Sequence, residues 1–174
     1  MENQLLCFLK SLDGAILDKP DESAIQRIKE LSSDKLPAGF LEAFSVFAPT
    51  DDVEFGDLVF YGLEKMIEEN TDYIPGANLQ PIGFFTFAST FDGDSICFDL
   101  NDDHFPVYQC SHSMHSGEDD IMYYKNSKMV ELRFNYDNIK ATAPRLANSF
   151  AEFISLLQSD NVTVFSVTEM IKRL

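Results

Sequence analysis

The chain has 174 residues, 45% of them hydrophobic and 24% charged, which is ordinary for a globular protein with a sizeable core. Twenty-nine acidic residues against 13 basic ones give a formal net charge of −16, a field that repels nucleic acid and anionic membrane surfaces and draws in basic partners. Phe dominates the aromatic residues with 16 copies and Trp is absent, so a Phe-rich core is expected.

Leu5, Leu6, Phe8, Leu9 and Leu12 recur at helical spacing, and Asp13-Gly14 stops the pattern. Lys19-Pro20-Asp21 opens a second helix with Asp21 as N-cap and Ala24, Ile25, Ile28 and Leu31 as its buried stripe, ended by Ser32-Ser33-Asp34. Leu36-Pro37 heads a third helix, whose Phe40, Leu41, Phe44, Val46 and Phe47 should lie against a sheet. Val53 to Tyr61 reads as a strand cut by Gly56-Asp57, which predicts a bulge or a short-armed hairpin. Leu63, Met66 and Ile67 mark a helix from about Gly62 to Asp72, and Pro75 to Asn78 reads as a loop.

The most strand-like stretch follows. Leu79 to Phe87, Ser95 to Leu100 and Phe105 to Cys110 are expected as three strands of an antiparallel meander. Phe91-Asp92-Gly93-Asp94 and Asn101-Asp102-Asp103 supply the turns between them. Ser111 to Asp120 reads as a mobile polar segment. Ile121 to Lys125 and Met129 to Phe134 read as two more strands around Asn126-Ser127-Lys128. A late helix follows Ala143-Pro144 with the stripe Leu146, Phe150, Phe153, Ile154 and Leu157. Asn161 to Val167 is β-prone, and Ser166 to Leu174 closes as a helix with Glu169 early and Lys172 and Arg173 late, which suits the helix dipole.

No repeat, linker or composition shift divides the chain. One α+β domain over 1–174 is expected, with its core at about 36–157, helices within 2–32 and a strand and helix within 161–174. Cys7, Cys97 and Cys110 are odd in number and scattered, which argues against a disulfide framework. Met1-Glu2-Asn3 does not begin a signal peptide, and no apolar run reaches the roughly 18 residues of a membrane span, so a cytoplasmic location is expected.

An ordered set of motifs runs from Leu36 to Leu157. It comprises the Leu36-Pro37 helix, the short helix ending near Asn70, Pro81-Ile82-Gly83, the Gly-Asp-x-x-x-x-Asp unit from Gly93 to Asp99, Pro106-Val107-Tyr108, and the helix opened by Leu146 to Ile154. In this order the motifs resemble the SUKH superfamily, of the Smi/Knr type related to fungal cell-wall-assembly regulators. Ala48-Pro49-Thr50-Asp51 stands where such proteins often carry Asn-Gly-Gly, and 111–142 is longer than the resemblance suggests. The resemblance implies an α+β fold with a central antiparallel sheet flanked by helices, and a non-enzymatic role. Many bacterial members resemble immunity proteins that bind and neutralise a cognate toxin, often a nuclease; fungal members are regulatory interaction proteins.

The expected partner is therefore a protein, a basic toxin domain, bound by a monomer or weak dimer; nucleic acid, membrane and cofactor are not expected. The candidate contact residues are the acids of the turns: Asp92, Asp94, Asp99, Asp102 and Asp103, followed by Glu118, Asp119 and Asp120. The bland reading is that turn acids are solvated turn formers. A regulatory or scaffold protein with a cellular partner is the first alternative. The second is a metal-binding module, because His104, Cys110, His112 and His115 fall within twelve positions and are donors for zinc or copper. Their spacing matches no established zinc motif, and Asp92-Gly93-Asp94 does not continue into an EF-hand. No Gly-x-Ser-x-Gly elbow, phosphate-cradling Gly-rich loop or basic stripe is present.

Overall fold

The computed structural model describes residues 4–12, 15–159 and 161–174. The fold is α+β. Its centre is a six-stranded antiparallel sheet assembled from β3 (Val53–Phe55), β4 (Leu58–Phe60), β5 (Phe84–Thr90), β6 (Ser95–Asp99), β7 (Val107–Cys110) and β10 (Arg145–Ala147), in the order β10-β7-β6-β5-β4-β3. Gly56-Asp57 makes the hairpin between β3 and β4, and the β5–β6–β7 meander is as the turn residues predict.

Every residue of β5, β6 and β7 is buried, because both faces of the sheet are covered. Alternation splits them between two cores. Phe85, Phe87, Ile96, Phe98 and Val107 face one side. Phe84, Cys97, Tyr108 and Cys110 face the other. An irregularity between Thr86 and Ala88 sets Phe87 and Ala88 into the same core. Asn70 stitches this point: its Nδ2 donates to the Thr86 carbonyl at 2.8 Å and its Oδ1 accepts the Thr86 N–H at 2.9 Å.

The first face lies under α1 (Gln4–Ser11), α2 (Glu22–Leu31), α3 (Ala38–Val46), α4 (Leu63–Thr71) and α8 (Phe150–Gln158). Their starts are written in the sequence: Asp21 accepts the Ser23 N–H at 2.9 Å and Ser149 accepts the Glu152 N–H at 3.1 Å. Phe87 and Phe98 stack at 4.2 Å between ring centroids, with Phe40, Phe150 and Phe153 edge-on around them. A small pair, β1 (Leu17–Asp18) and β2 (Ala48–Pro49), ties the α1–α2 link to the end of α3.

The second face is covered by shorter pieces: α5 (Gly76–Leu79), a 3₁₀ turn (Gln80–Ile82), α6 (His112–His115), the hairpin β8 (Asp120–Lys125) and β9 (Lys128–Arg133), α7 (Tyr136–Thr142) and α9 (Val167–Arg173). The hairpin is a sheet of its own, turned by Asn126 and Ser127 at φ 52° and 61°, the left-handed pair that a two-residue turn requires. The Ser166–Glu169 capping box opens α9.

Several expectations are corrected. The strand placed from Leu79 begins at Phe84; Leu79 to Ile82 is helical, and Gly83 at φ 96° redirects the chain. Ser111 to Asp120 is not a loose polar segment, since α6 forms there with Met114 and His115 buried. Leu146 belongs to β10 rather than to the late helix, and 161–166 carries no strand. Asp13-Gly14, the expected stop of α1, lies outside the described residues.

Candidate partner-binding surface

The acids that crowd one stretch of sequence do not crowd one stretch of surface. Asp92 sits in the β5–β6 turn, and Asp102 and Asp103 in the β6–β7 connection. These turns flank opposite ends of β6, a separation of about 15 Å at ordinary strand rise. Glu118 and Asp119 lie on the link from α6 to β8, and Asp120 is the first residue of β8, opposite Arg133.

Two of the acids are interior. Asp94 is 5% exposed; its carboxylate accepts the Gln109 Nε2 amide at 2.8 Å and the His112 N–H at 2.8 Å. Burial pushes its pKa up, opposed by those two hydrogen bonds. Gln109 also donates to the Phe165 carbonyl and accepts the Phe165 N–H, both at 2.8 Å, so one side chain ties the β5–β6 turn to the segment entering α9. Asp99 is fully buried. It accepts from the Tyr136 hydroxyl at 2.8 Å, Lys140 Nζ at 2.9 Å and the Asn101 N–H at 3.0 Å. Lys140 Nζ donates to Tyr136 Oη at 2.9 Å, closing a triangle, and its pKa is raised first by that hydrogen bond and then by Asp99. Asp94 and Asp99 therefore spend their carboxylates inside the fold. Asp102 is partly spent too, since its Oδ1 accepts the His104 N–H at 3.0 Å.

Asp92, Asp103, Glu118 and Asp119 are exposed. Asp92 gains a neighbour that sequence distance conceals. The β3–β4 hairpin carries Asp57 to the same end of the sheet, because Leu58 pairs with Thr90. Asp57, Phe91, Asp92, Gln109 and Ser166 line a hollow of about 350 Å³ there, with Phe91 57% exposed. Two carboxylates beside an exposed aromatic ring suit a cationic side chain with an apolar stem. The signal available in sequence was Gly56-Asp57 read as a hairpin tip; what was missing was strand order.

A second concave surface is apolar. Met114, Met122, Tyr124, Met129, Val167 and Ile171 line a groove of about 380 Å³ between the hairpin and α9, and Met122, Tyr124 and Met129 are 50%, 67% and 57% exposed.

The four metal-donor candidates do not converge. His104 is exposed in the β6–β7 connection, His112 is exposed at the start of α6, and Cys110 and His115 are fully buried. His115 Nε2 lies 2.9 Å from Thr142 Oγ1, whose hydroxyl in turn donates to the Asn138 carbonyl at 2.7 Å. Burial lowers the His115 pKa to about 4, so the ring is neutral at pH 7. Among the described residues no group of three or more His, Cys, Asp or Glu is placed to hold a metal ion.

The family model described as the SMI1 / KNR4 family (SUKH-1) matches residues 3–156. This chain belongs to the SUKH family. The match runs from α1 through the sheet into α8 and leaves α9 beyond it. SUKH proteins are generally immunity or regulatory proteins rather than enzymes. No curated protein and no solved structure matches the chain. The SUKH-like Gly-Asp-x-x-x-x-Asp unit now has a physical meaning here. Gly93 takes φ 84° in the turn, Asp94 anchors α6 and Gln109, and Asp99 anchors α7 through Tyr136 and Lys140. Among the described residues no helix is long and apolar enough to cross a membrane.

Proposed function

We propose that this SUKH protein is a non-enzymatic, cytoplasmic immunity protein that binds and neutralises a cognate basic toxin domain, of the nuclease kind, from a polymorphic or contact-dependent toxin system. The observation that carries the reading is the family match over residues 3–156. The net charge of −16 supports the sign of the partner. Nucleases are basic where they hold the phosphate backbone. An acidic inhibitor covers that surface and is steered onto it quickly. The exposed acids Asp92, Asp103, Glu118 and Asp119 and the half-buried Asp102 and Asp120 remain the contact candidates, and Asp57 with Phe91 joins Asp92 at one point of contact. Binding is through one or two copies of the chain, with no cofactor and no nucleic acid.

Co-expression with a toxin encoded beside it tests the reading. Growth should be restored, a complex should co-purify, and the association rate should fall steeply with added salt. The pair Asp57→Asn and Asp92→Asn should slow association severalfold and leave the fold unchanged. Neither rescue nor complex would sink the proposal. The apolar groove beside the hairpin favours a second reading, a regulatory protein with a cellular partner. Association through that groove would be nearly insensitive to salt and would be lost in a Met122→Ser, Tyr124→Ser, Met129→Ser variant.

A further inference from the structure

Lys140, Arg145 and Arg173 line a single hollow of about 210 Å³ together with Tyr108 and Met170. They are three of the 13 basic residues of a chain that carries 29 acids, yet no Asp or Glu lines the hollow. Lys140 is paired behind it with the fully buried Asp99. The arginines are not neutralised in this way. Arg145 donates to the uncharged Asn148 Oδ1 at 3.1 Å, and Arg173 lies 4.4 Å over the Phe165 ring. Among the described residues neither has a carboxylate at ion-pair distance.

Tyr108 and Met170 are the most deeply buried members of the lining. Lys140 Nζ and Arg145 Cζ stand 6.0 and 5.7 Å from the Tyr108 ring centroid, and no protein group hydrogen-bonds the buried Tyr108 hydroxyl. Three cationic side chains therefore line one concavity with Tyr108 behind them, brought together from β7, α7, β10 and α9.

We propose that this hollow binds a small oxyanion, a phosphate or phosphomonoester group. Size decides against a larger ligand, because drug-sized pockets begin near roughly 300 Å³. Chemistry decides for an oxyanion, because guanidinium forks pair with phosphate and carboxylate oxygens through two parallel hydrogen bonds. The net charge opposes any anion, but charges beyond about 8 Å are screened at physiological ionic strength, and the two unpaired guanidinium groups line the hollow itself. The site is distinct from the acidic end of the sheet and does not depend on the toxin-binding reading.

A titration of the full chain with inorganic phosphate, followed by amide chemical shifts at constant ionic strength, tests the proposal. Saturable shifts are expected around residues 108, 140–145 and 170–174, with half-saturation at millimolar phosphate or below. Arg145→Gln with Arg173→Gln should weaken binding at least tenfold. Both side chains are exposed, so an otherwise unchanged amide spectrum will show that the variant folds. Phenyl phosphate binding more tightly than inorganic phosphate would assign the site to an ester, and the reverse order to the free ion. Shifts that never saturate, acetate binding as tightly as phosphate, or unchanged affinity in the double variant would overturn the proposal.

Discussion

The face of the sheet beneath α1–α4 and α8 is rich in phenylalanine, and the opposite face mixes a smaller apolar core with side chains that titrate or hydrogen-bond. Phe85, Phe87 and Phe98 point one way; Cys97, Asp99, Tyr108 and Cys110 point the other, where Asp99 meets Tyr136. The same strands supply both sets, so the difference lies in what covers them. Long amphipathic helices bring stripes of carbon. Four-residue helices and a two-stranded ribbon bring caps, turns and lone polar groups that must find partners inside. One face holds the fold chiefly by apolar area, the other by a smaller apolar core together with a few specific bonds.

Substitutions at four places bear on that contrast, taken from the largest effect down. Phe87→Ala removes the ring stacked on Phe98 and should cost about 4 kcal/mol in denaturant unfolding. A loss under about 2 kcal/mol would mean that the phenylalanine core closes over the gap. On the polar face, His115 gives the next effect and ties it to pH. The unfolded chain takes up the imidazole proton near the ordinary 6.5, the folded chain only near 4. Unfolding thus binds a proton in that window: the His115 contribution is complete above pH 6.5 and falls by about 3 kcal/mol by pH 4. Stability curves of the wild type and His115→Asn at matched pH should differ by that slope, and parallel curves would refute it.

Lys140→Met leaves Asp99 buried with only Tyr136 and the Asn101 N–H. Because the lysine is partly exposed, the expected loss is about 2 kcal/mol, at the low end for a broken buried pair. Adding Asp99→Asn to Lys140→Met should recover part of it in a double-mutant cycle. The smallest effect belongs to the hairpin. Met122→Ser, Tyr124→Ser and Met129→Ser should each change stability by less than about 0.5 kcal/mol, since these side chains are at least half exposed. A larger loss would make the groove part of the core.

The phenylalanine face was the legible one. Leu5 to Leu12, Phe40 to Phe44 and Phe150 to Leu157 carry helical stripes that survive into the structure, because each packs one face on carbon, whereas Val46 and Phe47, expected on the third stripe, are 49% and 37% exposed. The polar face was less so. Leu79 to Ile82 runs into the aromatic strand with little to mark a break before Gly83, but Pro81 needs no N–H partner in the first turn of a 3₁₀ segment. Leu146 lies four residues before Phe150 and mimics the helix stripe, although the edge pairing of β10 with Tyr108 claims it. Tyr136 to Thr142 has a single buried aliphatic residue, Ile139, too little periodicity to find. Its cap, Asn135 accepting the Asn138 N–H at 2.9 Å, was the available signal. The acids of the candidate surface were found by residue type. Their division between buried anchors and exposed contacts depends on strand pairing, which local composition does not encode.

Gln109 joins a segment outside the sheet to one of its inner strands. Its amide ties Phe165 to β7, which lies between β6 and β10, and the segment leading to α9 adds no strand to that sheet, so its release is expected to leave the sheet paired. In native-state hydrogen exchange the Phe165 N–H should thus report a partial opening of lower free energy than the Phe98 N–H, which reports the whole sheet. With Met170 buried in the second core, each such opening uncovers one side of the Tyr108 hollow while the phenylalanine face stays shut.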